Sequence, residues 1–209
     1  MQAFYRAADA AGPVNRSHLD MHTAIRGSLY RQFALLPAHA GDFSPGFYQL
    51  LQASGMDAIV RHTEAGGTFT HFTCEKFAAQ SATLELGKVM PFGANDLSLF
   101  AATDAAIRAW ISDAPLPPRD KAPVDYFLVE ESIIKREGEF TLNLAANVEN
   151  FTALPAGYEI ARQAEKRGWC RPGPPISSFP MPGSPPVSAP GCCCAPRLFA
   201  SHNQPEETP

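Results

Sequence analysis

The chain has 209 residues, 45% of them hydrophobic, with a formal net charge of −4 and a pI near 5.8. That length supports one globular core with a small second module. Its acidic balance and scattered basic residues exclude the basic stripe of a nucleic-acid binder, and no apolar run is long enough for a membrane span.

The N-terminus, MQAFYRAADAAGPVNR, lacks the basic-then-apolar pattern of a signal peptide, so a cytoplasmic protein is expected. HLDMHTAIRGS (18–28) follows, where His18 to Met21 reads as a short strand leading into a polar turn. Asp20, His22, Thr23, Arg26 and Ser28 crowd hydrogen-bonding and metal-binding groups into that one stretch. An imidazole at the carboxyl end of a strand points into the crevice where open α/β sheets place ligands, and Asp20 is close enough in sequence to fix the ring. The alternative is a structural histidine.

PGFYQLLQAS (45–54) reads as a helix ended near Gly55, and DAIVR (57–61) as a second strand. The glycines of GGTFTHFTCEKFAAQ (66–80) mark a loop, with a helix after them. SATLELG (81–87) is a third strand in which Thr83 and Glu85 alternate with Leu84 and Leu86, so Glu85 faces away from the leucines. A carboxylate near a metal-bound water is the usual general base of hydrolysis. Asp96 is a candidate N-cap for a helix reaching Ile111, with Leu97, Phe100, Ala101, Ile107 and Ile111 on one apolar face. Strand alternating with helix indicates an α/β fold.

Two further sets of candidate ligands, His71 with Glu75 and His62 with Glu64, do not follow a strand end and read as surface or loop residues. Residues 1–113 form the expected first domain, 114–123 a proline-rich linker, and 124–167 a small antiparallel β module. Residues 168–209 hold a Cys triplet (Cys192, Cys193, Cys194), a poor disulfide framework, and eleven of the twenty prolines. This composition reads as a disordered proline-rich tail, able to dock on an aromatic-lined groove, or as a GC-rich gene read in a shifted frame.

HLDMHTAIRGS, GGTFTHF and TLELGKVMPFGANDL together resemble the succinylglutamate desuccinylases, within the aspartoacylase group of zinc carboxypeptidase-like hydrolases. The resemblance covers roughly residues 4 to 162. It implies a three-layer α/β/α fold of the zinc-peptidase type with a C-terminal β module. It also implies one Zn2+ and hydrolysis of N-succinyl-L-glutamate to succinate and L-glutamate, the last step of arginine breakdown by the succinyltransferase route. A related N-acyl amino acid hydrolase of the aspartoacylase type is the alternative.

By that resemblance, His22 matches a zinc-binding histidine and Glu85 the glutamate that activates the zinc-bound water, with Asp20 behind His22. Arg26 and Lys88 would bind substrate carboxylates, their alternative role being solvated surface charge. The family's His-x-x-Glu zinc pair and its Arg and Asn-Arg substrate motif lie well upstream of the HLDMHTAIRGS equivalent, and only seventeen residues precede His18 here. The expectation is therefore a chain lacking the N-terminal strands, with a truncated β module, that retains neither zinc nor activity. An exposed sheet edge would follow.

Overall fold

The computed structural model describes residues 2–169 apart from 13, 40, 136, 137, 164 and 165. The expectations for the proline-rich tail therefore lie, after Trp169, outside the described residues. The fold is mixed α/β, with a five-stranded sheet in the order β1-β4-β2-β3-β5 and a three-stranded antiparallel sheet β6-β7-β8. The elements of the first sheet are β1 (Ser17–Ala24), β2 (Phe33–Leu36), β3 (Ala58–Arg61), β4 (Gln80–Lys88) and β5 (Asp125–Leu128). Those of the second are β6 (Phe140–Leu142), β7 (Glu159–Gln163) and β8 (Lys166–Trp169).

Helix α1 (Gln2–Ala11) has no counterpart in the sequence reading, because what holds it is tertiary. Tyr5 stacks on Phe77 at 4.2 Å, Arg16 donates to the Phe77 carbonyl, and Arg16 also pairs with Asp9. Strand β2 has none for a different reason. All four of its residues are buried, so FALL shows no alternation to mark a strand.

Helix α2 (Pro45–Ala53) starts where expected: Ser44 accepts from the Phe47 N–H and Pro45 needs no partner for a missing N–H. Its Phe47, Leu50 and Leu51 pack with Ala34, Leu36, Ile59 and Leu84. Helix α3 (Phe69–Phe77) is capped by Thr68 and bonds to the polar face of the neighbouring strand. Thr73 meets Ser81 at 3.0 Å and Thr70 meets Thr83 at 3.2 Å, both on the strand face that also carries Glu85.

The helix before Ile111 departs from expectation. Leu97–Phe100 form a 3₁₀ turn, with Asp96 accepting from the Ser98 N–H, and α4 begins at Ala101 and runs to Ile111. A 3₁₀ turn winds three residues per turn rather than 3.6, which breaks the phase of the expected apolar face. Leu97 and Ile111 are 74% and 79% exposed, and Thr103 and Ala106 are buried instead, Thr103 donating to the Ser54 carbonyl at 2.8 Å.

The proline-rich stretch after α4 is a strap rather than a free linker. Arg119 donates to the Gln52 carbonyl, and Lys121 donates to the Gly55 carbonyl, Gln32 Oε1 and Asp57 Oδ1. The strap delivers β5 beside β3, so Asp125–Leu128, at the start of the region expected as a β module (124–167), pair with the first sheet. The reason is burial: Phe127 fills an apolar cluster with Phe33, Leu35, Val60 and Phe151.

Strand β1 runs to Ala24, three residues past the expected end, so His22 and Thr23 lie within the strand. It pairs with β4 in parallel, His22 opposite Glu85 and Ala24 opposite Lys88. Two steps on β1 thus face three on β4, a bulge that contains Gly87 at φ +132°. The extra residue turns Lys88 onto the face of His22 and Glu85, where strict alternation would have put it with Leu84 and Leu86.

This part of the sheet can be probed at two positions. A Cβ at Gly87 would meet nothing within 4 Å, so the cost of Gly87→Ala is conformational alone. It is expected to lower stability by about 1–3 kcal/mol, read from urea unfolding, because an L side chain strains at that φ. The second position is His18, whose Nδ1 lies 2.7 Å from Thr73 Oγ1 and whose ring meets Phe69 edge-on. Burial pushes its imidazole below the ordinary value of 6.5, against the opposing charge of Asp20. The folded chain therefore binds this proton more weakly than the unfolded chain, and stability rises with pH. The contribution is full above 6.5 and is lost as the pH falls through the folded-state value. His18→Gln should flatten the stability difference between about pH 7.5 and pH 5.5 relative to the parent chain; equal slopes would refute it.

Candidate active site

Parallel pairing puts the carboxyl ends of β1 and β4 at the same end of the sheet, and period-two alternation aligns one face across both strands. That face carries His18, Asp20 and His22 on β1, and Ser81, Thr83 and Glu85 on β4. On the other side of β4 the antiparallel β2 contributes Phe33 opposite Glu85 and Leu35 opposite Thr83. Glu85 therefore stands between an imidazole and a phenyl ring, half-buried, with Oε2 shielded from solvent.

His22 is exposed, and its Nε2 lies 3.1 Å from Asp20 Oδ1. The contact leaves Nδ1 as the ring nitrogen that Asp20 does not engage. Lys88, brought round by the bulge, is exposed at the end of the same face. The structure thus gathers four of the five sequence candidates, Asp20, His22, Glu85 and Lys88, onto one surface.

Arg26 lies beyond the strand, in the loop that follows it, and donates to the Ala146 carbonyl at 3.1 Å. Leu29 donates to the Asn150 carbonyl and Asn150 to that of Gly27, while a Cβ on Gly27 would come within 3.0 Å of Glu149 Oε1. The segment between β6 and β7 therefore docks on the loop after β1 and forms part of the rim. Sequence reasoning missed Ala146, Glu149 and Asn150, because nothing local marks a turn that is held by a partner 120 residues away. It also missed Asn95, which lines a shallow open depression with Met21, His22, Thr23, Leu86 and Phe100.

The remaining candidates stay apart from this surface. His71 and Glu75 pair with each other on α3 at 3.5 Å, and Cys74 is a buried thiol whose pKa burial pushes up. Among the described residues, no group of three or more His, Cys, Asp or Glu side chains could hold a metal ion. No helix among them is long and apolar enough to cross a membrane.

Comparison with known proteins places this arrangement. The family described as "Succinylglutamate desuccinylase/Aspartoacylase catalytic domain" matches residues 3–111, and "AstE/AspA barrel-sandwich hybrid domain" matches residues 122–185. The second match runs past residue 168, where the composition changes. The chain is 49% identical over 148 residues to the succinylglutamate desuccinylase of Photorhabdus laumondii, covering 71% of this chain and 46% of that protein. It is 40% identical over 163 residues to that of Yersinia pestis, covering 78% and 48%.

Among solved structures, succinylglutamate desuccinylase from Vibrio cholerae superposes with a TM-score of 0.68 at 30% identity, covering 79% of this chain and 49% of that one. The corresponding protein from Chromobacterium violaceum gives 0.63 at 37% identity, covering 75% and 49%. The chain spans about half the length of the curated relatives it matches. With more than half of its residues matched by the catalytic-domain description, and with His22 and Glu85 side by side within that match, the chain belongs to the succinylglutamate desuccinylase/aspartoacylase family.

Proposed function

We propose that this chain carries part of an amide hydrolase that cleaves N-succinyl-L-glutamate to succinate and L-glutamate, the closing step of arginine breakdown by the succinyltransferase route in the cytoplasm. The observation that carries the reading is the in-register placement of His22 and Glu85 on neighbouring parallel strands, at the end of the sheet where such folds bind ligands. Membership in the family supports the substrate class.

In this reading Glu85 moves the proton. Its carboxylate takes the proton of the attacking water and returns it to the leaving amine nitrogen, so that one group serves both halves of the reaction. Shielding of Oε2 suits a base that must not be fully hydrated. Lys88 offers an exposed ammonium on the same face for a substrate carboxylate. Arg26 has four further N–H groups beyond the one Ala146 accepts from, enough to hold a second carboxylate at the rim. Asp20 fixes the ring of His22.

Zinc is the metal the family resemblance implies, and a catalytic zinc takes three protein ligands with an open position. The described residues do not fit that requirement: His22 brings one imidazole with Asp20 beside it, and no third donor among them converges on the pair. This donor set favours a second reading, in which the 209-residue chain folds without retaining zinc and is not active on its own.

Metal analysis of the purified chain beside His22→Ala, with succinylglutamate hydrolysis assayed on both, separates the two. Stoichiometric zinc and turnover in the parent, both lost in the variant, would establish the hydrolase in this chain. Absence of both from a folded parent would establish the second reading. Where turnover is measured, Glu85→Gln is expected to lower kcat by about 10²- to 10⁴-fold with KM little changed. A KM effect without loss of kcat would remove Glu85 from proton transfer.

A further inference from the structure

His18, Asp20 and His22 stand at alternate positions of β1, on the face that also carries Glu85. Asp20 therefore has one imidazole two residues before it and another two residues after, and the strand repeat gives it the same reach to each. The structure resolves this symmetry in one direction. Asp20 Oδ1 lies 3.1 Å from His22 Nε2, whereas His18 turns its Nδ1 to Thr73 of α3, at 2.7 Å, and its ring edge-on to Phe69 at 4.6 Å.

A count of protons explains the choice. Thr73 and Ser81 are both fully buried, and each hydroxyl has one proton to give. Ser81 donates to the Ala79 carbonyl at 3.1 Å. Thr73 has Ser81 Oγ at 3.0 Å, the Thr70 carbonyl at 3.1 Å and the Phe69 carbonyl at 3.3 Å as acceptors. Whichever of these takes the Thr73 proton, the short contact with His18 is left for an Nδ1–H of the imidazole to fill. A neutral imidazole with its proton on Nδ1 carries a lone pair on Nε2 and offers a carboxylate no donor there. Burial also pushes the His18 imidazole below its ordinary value, against the opposing charge of Asp20, so well above 6.5 the ring is neutral and has no second N–H to give.

We propose that Thr73 and His18 are positioning residues for His22: by holding His18 as its Nδ1–H tautomer, Thr73 denies that ring a donor toward Asp20 and leaves the carboxylate to His22. His22 then gives its Nε2–H to Asp20 and keeps a bare Nδ1, the tautomer opposite to that of His18. One hydroxyl on α3 thus sorts two histidines of the same strand face into one that packs and one that serves the site. The inference rests on the reading that places His22 in that site. Its test reads neither metal nor turnover, so the two fail separately.

Imidazole nitrogen-15 spectra of the 209-residue chain, recorded at about pH 8 where both rings are uncharged, separate the two neutral tautomers. The parent is expected to show His18 protonated on Nδ1 and His22 on Nε2, with His22 in one χ1 rotamer by its Hα–Hβ couplings. Thr73→Ser keeps the hydroxyl and should match the parent. Thr73→Val keeps the shape and removes the hydroxyl. It should move the His18 proton to Nε2, where the ring competes for Asp20, and His22 should lose its single tautomer and its single rotamer. Adding His18→Phe to Thr73→Val removes the competitor and should return His22 to its parent spectrum. Recovery on a second substitution is a result that a merely loosened helix cannot produce, and circular dichroism of each variant verifies the fold. A parent His18 protonated on Nε2, a His22 spectrum unmoved by Thr73→Val, or a double variant as disturbed as Thr73→Val alone would each overturn the proposal.

Discussion

The parallel pairing of β1 with β4 is the constraint on which the rest depends. Side chains alternate at period two, so a slip of one residue would send His22 to the opposite face from Glu85 and dismantle the candidate site at a stroke. Three features oppose that slip. Ser81, at the start of β4, shares a hydrogen bond with Thr73 of α3, and the same Thr73 meets His18 of β1, so one helix residue touches both strands. At the other end the bulge at Gly87 absorbs one extra residue of β4 and lets Val89 donate to the Ala24 carbonyl. Between them, Phe33 and Leu35 of β2 hold the far side of β4 in an antiparallel register that only one phase of the leucines can satisfy.

The second sheet is tied to this frame by rings and by one loop. Phe151 packs against Tyr30, Phe33 and Phe127 with centroids 4.8 to 5.1 Å apart, the spacing at which edge-on and tilted aromatic pairs are favourable. Tyr30 also donates to Asp125 Oδ2 at 2.6 Å, which joins the loop after β1 to the start of β5. The consequence for function is positional. The guanidinium of Arg26 and the backbone that follows it are bonded to the segment 146–150. A cation held in this way loses less conformational freedom on binding an anion than an unrestrained side chain would.

What the sequence made legible follows the reach of each signal. Alternation of Thr83 and Glu85 against Leu84 and Leu86 puts Glu85 on its correct face, since a half-buried strand writes its burial into every second residue. The Ser44-Pro45 start of α2 is equally plain, because the cap lies within three residues of what it satisfies. Signals that depend on distant partners are not legible. FALL is buried on both sides and shows no period, α1 is held by Phe77, and the pairing of β5 with β3 has no local mark because β3 is more than sixty residues earlier. The end of β1 is misplaced in the sequence reading because a bulge on another strand, not the polar residues of β1 itself, decides where pairing stops.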